Sequence, residues 1–327
     1  MKLIIQIPCF NEAETIGITL AALPRQLPEF ETVEWLIVDD GSVDETVEVA
    51  RKHGVDHIIR HPHNMGLARS FMTGLDACLA RGADVVVNTD ADNQYRAGDI
   101  PLLIQPIIEG RADIVIGSRP IDTIKHFSPY KKLLQRAGSA VVRLASETNI
   151  PDAPSGFRAI SKEAAQRTVV FSDYTYTLET IIQAGQKSMA VTSVPIAVNE
   201  DLRPSRLVSS IPAYIWRSIF TIMRIFVIYQ PFRFFGIISA LLLLSGFLLG
   251  LRFIFYNYFL GQGEGQIQSV ILSGALLVMG FQALLVAFLA DLMAANRKLL
   301  EDVRYKQFRA DDKRKASETM NSRSIAD

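Results

Sequence analysis

Val85-Val86-Val87-Asn88-Thr89-Asp90-Ala91-Asp92-Asn93-Gln94 is an apolar, β-branched run that ends in two carboxylates one residue apart, with an amide close behind. The apolar part predicts a buried strand and the polar part the turn that leaves its carboxyl end. Carboxylates placed there suit a hard cation such as Mg²⁺ or Mn²⁺, which takes oxygen ligands and is commonly held by one or two carboxylates plus substrate phosphates. The same spacing equally describes a solvated turn. The flanking sequence has to decide between them.

Short β-branched runs alternate with amphipathic stretches on both sides, the pattern of parallel strands joined by crossover helices. Lys2 to Ile7 predicts a first strand, and Asn11 with Glu14 resembles an N-cap and its partner, opening a helix that ends before Pro24. Val33 to Val38 predicts a second strand and Asp44 to Gly54 a helix. Ile58-Ile59 continues the sheet, Met65 to Ala80 predicts a helix closed by Gly82, and Ile114-Val115-Ile116 a further strand. Ligands of such sheets bind beyond the carboxyl ends of the strands. That rule gathers four polar clusters on one edge: Pro8-Cys9-Phe10-Asn11-Glu12, Asp39-Asp40-Gly41-Ser42, Asp90-Ala91-Asp92 and Gly117-Ser118-Arg119. No Gly-x-Gly-x-x-Gly follows a strand and no Gly-Lys-Ser/Thr loop occurs, so neither a dinucleotide fingerprint nor a P-loop is supported.

Lys plus Arg and Asp plus Glu both number 34, and this balance gives no sign of a nucleic-acid partner. Hydrophobic residues reach 49%, and the excess is local: Phe234 to Leu251 and Ile267 to Ala290 carry no formal charge. At a rise of about 1.5 Å per residue the shorter run spans roughly 27 Å, one hydrocarbon thickness. Core helices seldom stay uncharged this long. Arg217, Arg224 and Arg233 precede the pair, and Arg297, Lys298, Arg304 and Lys306 follow it, while the connector Tyr256 to Gln266 holds neither Lys nor Arg. The positive-inside bias therefore predicts an integral protein of the cytoplasmic membrane with both termini cytoplasmic. Arg252, near the outer end of the first span, is expected to snorkel. Met1-Lys2 leads into a short apolar run broken at Pro8, which does not read as a signal peptide. Cys9 and Cys78 have no metal-ligand spacing and read as structural thiols.

The expected organisation is a catalytic domain over 1–204, an interfacial amphipathic helix over 205–231, a hairpin over 232–292 with spans at about 232–255 and 267–290, and a tail over 293–327. Arg206, Arg217 and Arg224 share one helical face of the amphipathic segment, beside Trp216, Phe220 and Phe226. It reads as a helix in the headgroup plane or as a core helix with a solvated arginine face. The charged stretch Asn296 to Tyr305 either continues the second span and pairs with a second copy of the chain, giving a homo-oligomer, or is a solvated tail. Disorder is expected beyond Asp311.

Pro8-Cys9-Phe10-Asn11-Glu12, Val38-Asp39-Asp40-Gly41-Ser42, Asp90-Ala91-Asp92-Asn93-Gln94 and Ser155-Gly156-Phe157-Arg158, in that order, resemble the signatures of inverting family 2 glycosyltransferases. With two C-terminal spans the chain is similar to the polyisoprenyl-phosphate branch, which includes dolichyl-phosphate mannosyltransferases and bactoprenol glucosyltransferases. The resemblance implies an α/β GT-A fold with a mainly parallel sheet. It also implies a nucleotide-sugar pocket framed by Pro8, Phe10, Asn11, Glu12, Asp39, Asp40 and Ala91, and a Mg²⁺ or Mn²⁺ ion held by Asp90, Asp92 and Gln94. Its acceptor would be a polyprenyl phosphate in the membrane, with Arg119, Arg136 and Ser139 as phosphate ligands and Arg203 and Arg206 as second choices. Lys125, Lys131 and Lys132 lie in the same basic stretch, which reads as a lid. Asp90, Asp92, Arg119 and Arg136 would then carry the chemistry.

The implied reaction is a single inverting transfer of a hexose, glucose from UDP-glucose in the first reading and mannose from GDP-mannose in the second. A phosphate monoester whose second pKa is about 6 is already an anionic nucleophile, so no general base is required. Glu179, at the place where a base would serve a hydroxyl acceptor, is left an orienting role. A processive polysaccharide synthase would resemble a Gln-x-x-Arg-Trp pattern with more spans, which this sequence lacks. A non-catalytic scaffold with a decayed pocket would not keep both acidic pairs.

Overall fold

In a computed structural model of the chain, residues 1–120, 150–170, 176–199, 227–259 and 267–324 are described, with single positions at 143, 148, 216, 220, 223 and 224. The chain divides into two compact units, Met1–Ser218 with Arg304–Asp327, and Ile219–Val303.

The first unit is built on one sheet. Its strands are β1 (Lys2–Cys9), β2 (Thr32–Asp39), β3 (His57–Arg60), β4 (Val85–Asn88), β5 (Ile114–Ser118), β6 (Arg158–Ser161) and β7 (Val191–Pro195). They lie in the order β3-β2-β1-β4-β6-β5-β7. Only β6 runs against its neighbours, β4 and β5; the other described pairings are parallel. The runs Leu3-Ile4-Ile5 and Val85-Val86-Val87 are fully buried, as expected of parallel strands covered on both faces. Both Gln6 and Asn88 are polar residues in these runs, and they pair across the β1–β4 ladder.

Helices cover the sheet: α1 (Ile16–Ala22), α2 (Thr46–Lys52), α3 (Leu67–Ala80), α4 (Ile100–Ile108), α5 (Lys162–Arg167) and α6 (Thr177–Gln186). The sequence pattern finds α1 to α3 to within a few residues. It misplaces the first cap: α1 begins after Thr15, and Asn11 instead adopts φ +56° and accepts a hydrogen bond from the Val43 amide at 2.9 Å. An Asn side chain that tolerates the left-handed region serves a loop between strands as readily as a helix start.

In the second unit, α7 (Pro231–Phe259) and α8 (Ile267–Ser324) are both long and apolar enough to cross a membrane, and their apolar windows are mostly exposed. They pack through small residues. Ser239 donates to the Gly280 carbonyl at 2.7 Å, and Ser273 donates to the Gly246 carbonyl at 2.6 Å. A Cβ at Gly280 would lie 3.0 Å from the Leu243 backbone nitrogen, so only glycine permits this approach. Arg252 rests over the Tyr256 ring, 5.6 Å from its centroid.

α8 runs on to Ser324, past the point where disorder is expected, because the tail after Ala295 is rich in Lys and Arg, which favour helix, and contains no Pro or Gly. Within the first unit, Arg304 of this helix pairs with Asp76 of α3 at 2.7 Å, and Tyr305 donates to Glu163 of α5 at 3.2 Å. Arg167 lies over the Tyr305 ring at 4.6 Å.

Candidate active site at the carboxyl edge of the sheet

β1, β2, β4 and β5 all point the same way, so the four polar clusters emerge along one edge. The strand order reverses between β1 and β4, and the switch point puts the Pro8–Glu12 turn beside the Asp90–Gln94 turn.

The β1 and β2 turns are knitted together. The Asn11 amide donates to Ser42 Oγ at 2.8 Å, the Glu12 amide to Thr46 Oγ1 at 2.8 Å, and the Asp40 amide to the Cys9 carbonyl at 2.9 Å. Gly41 sits at φ +77° with its missing Cβ 2.7 Å from the His63 backbone, which fixes the sharp turn against the following loop. Phe10 is half exposed at the mouth. Burial, reinforced by the charge of Asp39, pushes the Cys9 thiol up, in keeping with a structural cysteine.

The two aspartates of the second cluster do different work. Asp40 accepts from the Met65 amide at 2.9 Å, the Gly66 amide at 2.8 Å and His61 at 2.7 Å, thereby anchoring the loop that enters α3. Asp39 is fully buried, and one carboxylate oxygen accepts from the Ser42 amide at 3.1 Å. Its Oδ2 has Arg60 Nε at 3.1 Å as an ion pair but receives no well-directed hydrogen bond among the described residues. Arg60, its ion-pair partner, lines an open cleft of roughly 380 Å³ together with Gly41, Ser42, Val43, His61 and Pro62.

At the end of β4, Asp92 Oδ1 accepts from the Gln94 amide at 3.1 Å, and Asn93 takes φ +56° to close the turn. The Ala91 carbonyl is held by Thr19 at 2.9 Å. Asp90 is partly accessible yet deep in the protein, and neither of its oxygens accepts a hydrogen bond among the described residues. Burial and then the neighbouring charge of Asp92 push its carboxyl up to about 7. No cluster of three His, Cys, Asp or Glu side chains suited to a metal occurs among the described residues. Two carboxylates and an amide on one turn, one carboxylate unpartnered and strained toward protonation, nonetheless fit a cation whose remaining ligands come from a diphosphate.

A third layer was marked in the sequence only by Ser155-Gly156-Phe157-Arg158, and its contacts went unread. The loop before β6 brings Gly156 against Asp90: a Cβ there would stand 3.1 Å from Oδ1 and 2.9 Å from the Tyr176 hydroxyl. Asn88 donates to the Gly156 carbonyl at 2.8 Å and to the Tyr176 hydroxyl at 2.9 Å, while accepting from Gln6 at 2.9 Å. The Gly156 amide donates to Tyr95, whose hydroxyl burial pushes up to about 12. Tyr176 stacks on Phe71 with centroids 3.9 Å apart. Arg158 is fully buried and holds the loop by donating to the Ser155 and Ala153 carbonyls at 2.8 Å each and to Thr180, and burial draws its pKa down to about 10. The available signal was a polar residue, Asn88 or Gln6, inside an otherwise apolar strand.

Arg119, at the end of β5, is paired with the fully buried Asp152, Nε to Oδ2 at 2.7 Å and Nη2 to Oδ1 at 3.0 Å. Glu179 is buried on α6 rather than displayed on its surface. Arg136, Ser139, Arg203 and Arg206, like Lys125, Lys131 and Lys132, lie outside the described residues.

A mainly parallel, doubly wound sheet that gathers these carboxylates at its switch point is the arrangement of a GT-A glycosyltransferase, and the match to known families assigns the chain to that class. The family described as Glycosyl transferase family 2 matches residues 4–169, and the chain belongs to it. It is 27% identical to the undecaprenyl-phosphate mannosyltransferase of Micrococcus luteus over 63% of this chain and 88% of that one. It is 31% identical to the UDP-N-acetylglucosamine–dolichyl-phosphate N-acetylglucosaminyltransferase of Methanococcus voltae over 58% of this chain and 82% of that one. Among solved structures, the glucosyl-3-phosphoglycerate synthase of Mycobacterium tuberculosis, in complex with Mn²⁺, UDP and phosphoglyceric acid, shares the fold at a TM-score of 0.53. The identity there is 18%, over 68% of this chain and 78% of that one.

Proposed function

We propose that this glycosyltransferase moves one hexose from a nucleotide diphosphate sugar to a polyprenyl phosphate at the cytoplasmic face of a membrane crossed by α7 and α8. The observation that carries the reading is the gathering at one sheet edge of a buried Asp39, whose Oδ2 has only the Arg60 ion pair, with an unpartnered Asp90. The first suits a base imide or ribose hydroxyl, the second a diphosphate-bound cation. The names of the Micrococcus and Methanococcus relatives favour a lipid phosphate as acceptor. Positively charged flanks around α7 and α8 favour the cytoplasmic side.

In this account Pro8, Phe10, Asn11, Glu12, Asp39 and Ala91 frame the nucleotide sugar, and Asp40 braces that pocket through the Met65-Gly66 loop. Asp90, Asp92 and Gln94 would hold Mg²⁺ or Mn²⁺, which would supply charge neutralisation at the departing diphosphate. An oxygen of the acceptor phosphate forms the new bond to the sugar's anomeric carbon as the bond to the β-phosphate oxygen breaks, and the nucleoside diphosphate leaves. Arg119 and Arg136, with Ser139, take the acceptor phosphate, and Arg203 and Arg206 support it. The nucleophile is already ionised near neutral pH, its second pKa being about 6, so the site needs no base.

UDP-glucose is the first donor, on the likeness of the two-span form to bactoprenol glucosyltransferases; GDP-mannose is the second, favoured by the name of the Micrococcus relative. The test is purified protein with a short-chain polyprenyl phosphate, Mg²⁺ or Mn²⁺ and a panel of labelled nucleotide sugars. A lipid bearing one sugar is expected. No lipid product with any donor would sink the reading, and a long polymer would favour a processive synthase.

A further inference from the structure

Arg119 carries a restriction that a simple phosphate ligand would not need. Its Nε and Nη2 edge is taken by Asp152, at 2.7 and 3.0 Å, and its backbone amide donates to the same Asp152 Oδ2 at 3.1 Å. Asp152 is fully buried and the Arg119 side chain is 9% exposed, so this is an interior bidentate pair rather than a surface contact. Nη1 makes no hydrogen bond among the described residues. The planar fork is thus locked on one edge and open on the other. Asp152 lies in the same short loop as Gly156, whose backbone is pinned by Asn88 and Tyr95 and whose bare Cα abuts Asp90. One rigid segment therefore ties the orientation of Arg119 to the position of Asp90.

We infer that Asp152 is a positioning residue for the acceptor: it clamps the Arg119 guanidinium so that its Nη1 edge meets the acceptor phosphate beside the donor's diphosphate. The inference rests on the reading that Arg119 takes that phosphate. Asp152 is not a base, because both of its oxygens are engaged by Arg119 in a site with no water-exposed surface. The clamp spares the acceptor complex the entropy of ordering a long side chain.

The experiment is steady-state kinetics of full-length Asp152→Asn with citronellyl phosphate as acceptor, alongside UDP and Mn²⁺ titrations. Asparagine preserves size but loses the charge and one acceptor oxygen. The expected result is an acceptor KM raised about 10-fold to 100-fold, as for a misplaced positioning group, with UDP and Mn²⁺ affinity and kcat nearly unchanged. A kcat collapse at unchanged acceptor KM would overturn the inference in favour of proton transfer. Parallel loss of UDP affinity, kcat and thermal stability would overturn it in favour of a purely structural role. Should Asp152→Asn not fold, Arg119→Lys carries the same test: lysine keeps the charge near Asp152 but has no second edge, so acceptor KM should rise while UDP affinity holds. An unchanged KM there overturns the clamp. Wild-type protein that transfers nothing to citronellyl phosphate or to longer polyprenyl phosphates would overturn the transfer reading itself, whereas normal wild-type transfer with an indifferent Asp152→Asn overturns only the clamp.

Discussion

The Cα of Gly156 faces the carboxylate of Asp90 so closely that a methyl group there would lie 3.1 Å from Oδ1 and 3.2 Å from Oδ2. Gly156 cannot yield easily, since it is held through both its amide and its carbonyl, so the unpartnered Asp90 carboxylate has to give way. Gly156→Ala should therefore displace Asp90 and weaken Mn²⁺ binding about 10-fold to 100-fold, the range for disturbing groups that orient a metal ligand. Manganese titration by electron paramagnetic resonance reads this directly, and unaltered affinity would show that Asp90 is not a ligand.

Asp92→Asn should abolish turnover while leaving the fold intact, because the residue sits in an accessible turn and its one described hydrogen bond, from Gln94, survives in an asparagine. Chelation of divalent ions should mimic it in the wild type. An active Asp92→Asn would remove the metal assignment.

Asp39→Asn addresses the nucleotide. Replacing Oδ2, which has only the Arg60 ion pair, with an amide nitrogen removes an acceptor, and hydrogen bonds to charged groups are worth about 1.5–3 kcal/mol, so UDP or GDP affinity should fall by an order of magnitude or more. Calorimetric titration checks it. Equal affinity in wild type and variant would place the base elsewhere.

Asn88→Leu tests the hidden network. Leucine would leave the Gly156 carbonyl with only the Tyr176 hydroxyl at 3.4 Å and Gln6 Nε2 with only the Phe71 carbonyl at 3.5 Å, and each weakened buried group costs up to about 1–3 kcal/mol. A drop in the midpoint of thermal unfolding is expected, with weakened metal binding as Gly156 loosens. A neutral substitution would mean that the loop is fixed by Arg158 and Tyr95 alone.

Much of the edge was legible because its parts are local. A strand that ends in carboxylates, a turn with Gly41, and two uncharged runs announce themselves in short windows of sequence. The partners that hold the site were not legible, because they come from far away in the chain. Asp152 meets Arg119 across 33 residues, Asn88 meets Gly156 across 68, and Asn88 meets Tyr176 across 88. β6 was missed for a related reason: Arg158-Ala159-Ile160-Ser161 is four residues long, opens on a charge, and becomes a central antiparallel strand only through its neighbours. Asn11 looked like a helix cap and proved to be a loop tie, since a capping side chain and a turn-forming one use the same chemistry.

The central claim is that the acceptor is a phosphate which arrives already ionised, and one comparison tests it. Purified protein is given its preferred nucleotide sugar and Mg²⁺ or Mn²⁺, with polyprenyl phosphate in one arm and the polyprenol of equal chain length in the other, and the lipids are weighed by mass spectrometry. One added sugar is expected on the phosphate lipid, none on the alcohol, and none in either arm once the metal is chelated. Transfer to the polyprenol, or metal-independent transfer to either lipid, would contradict it.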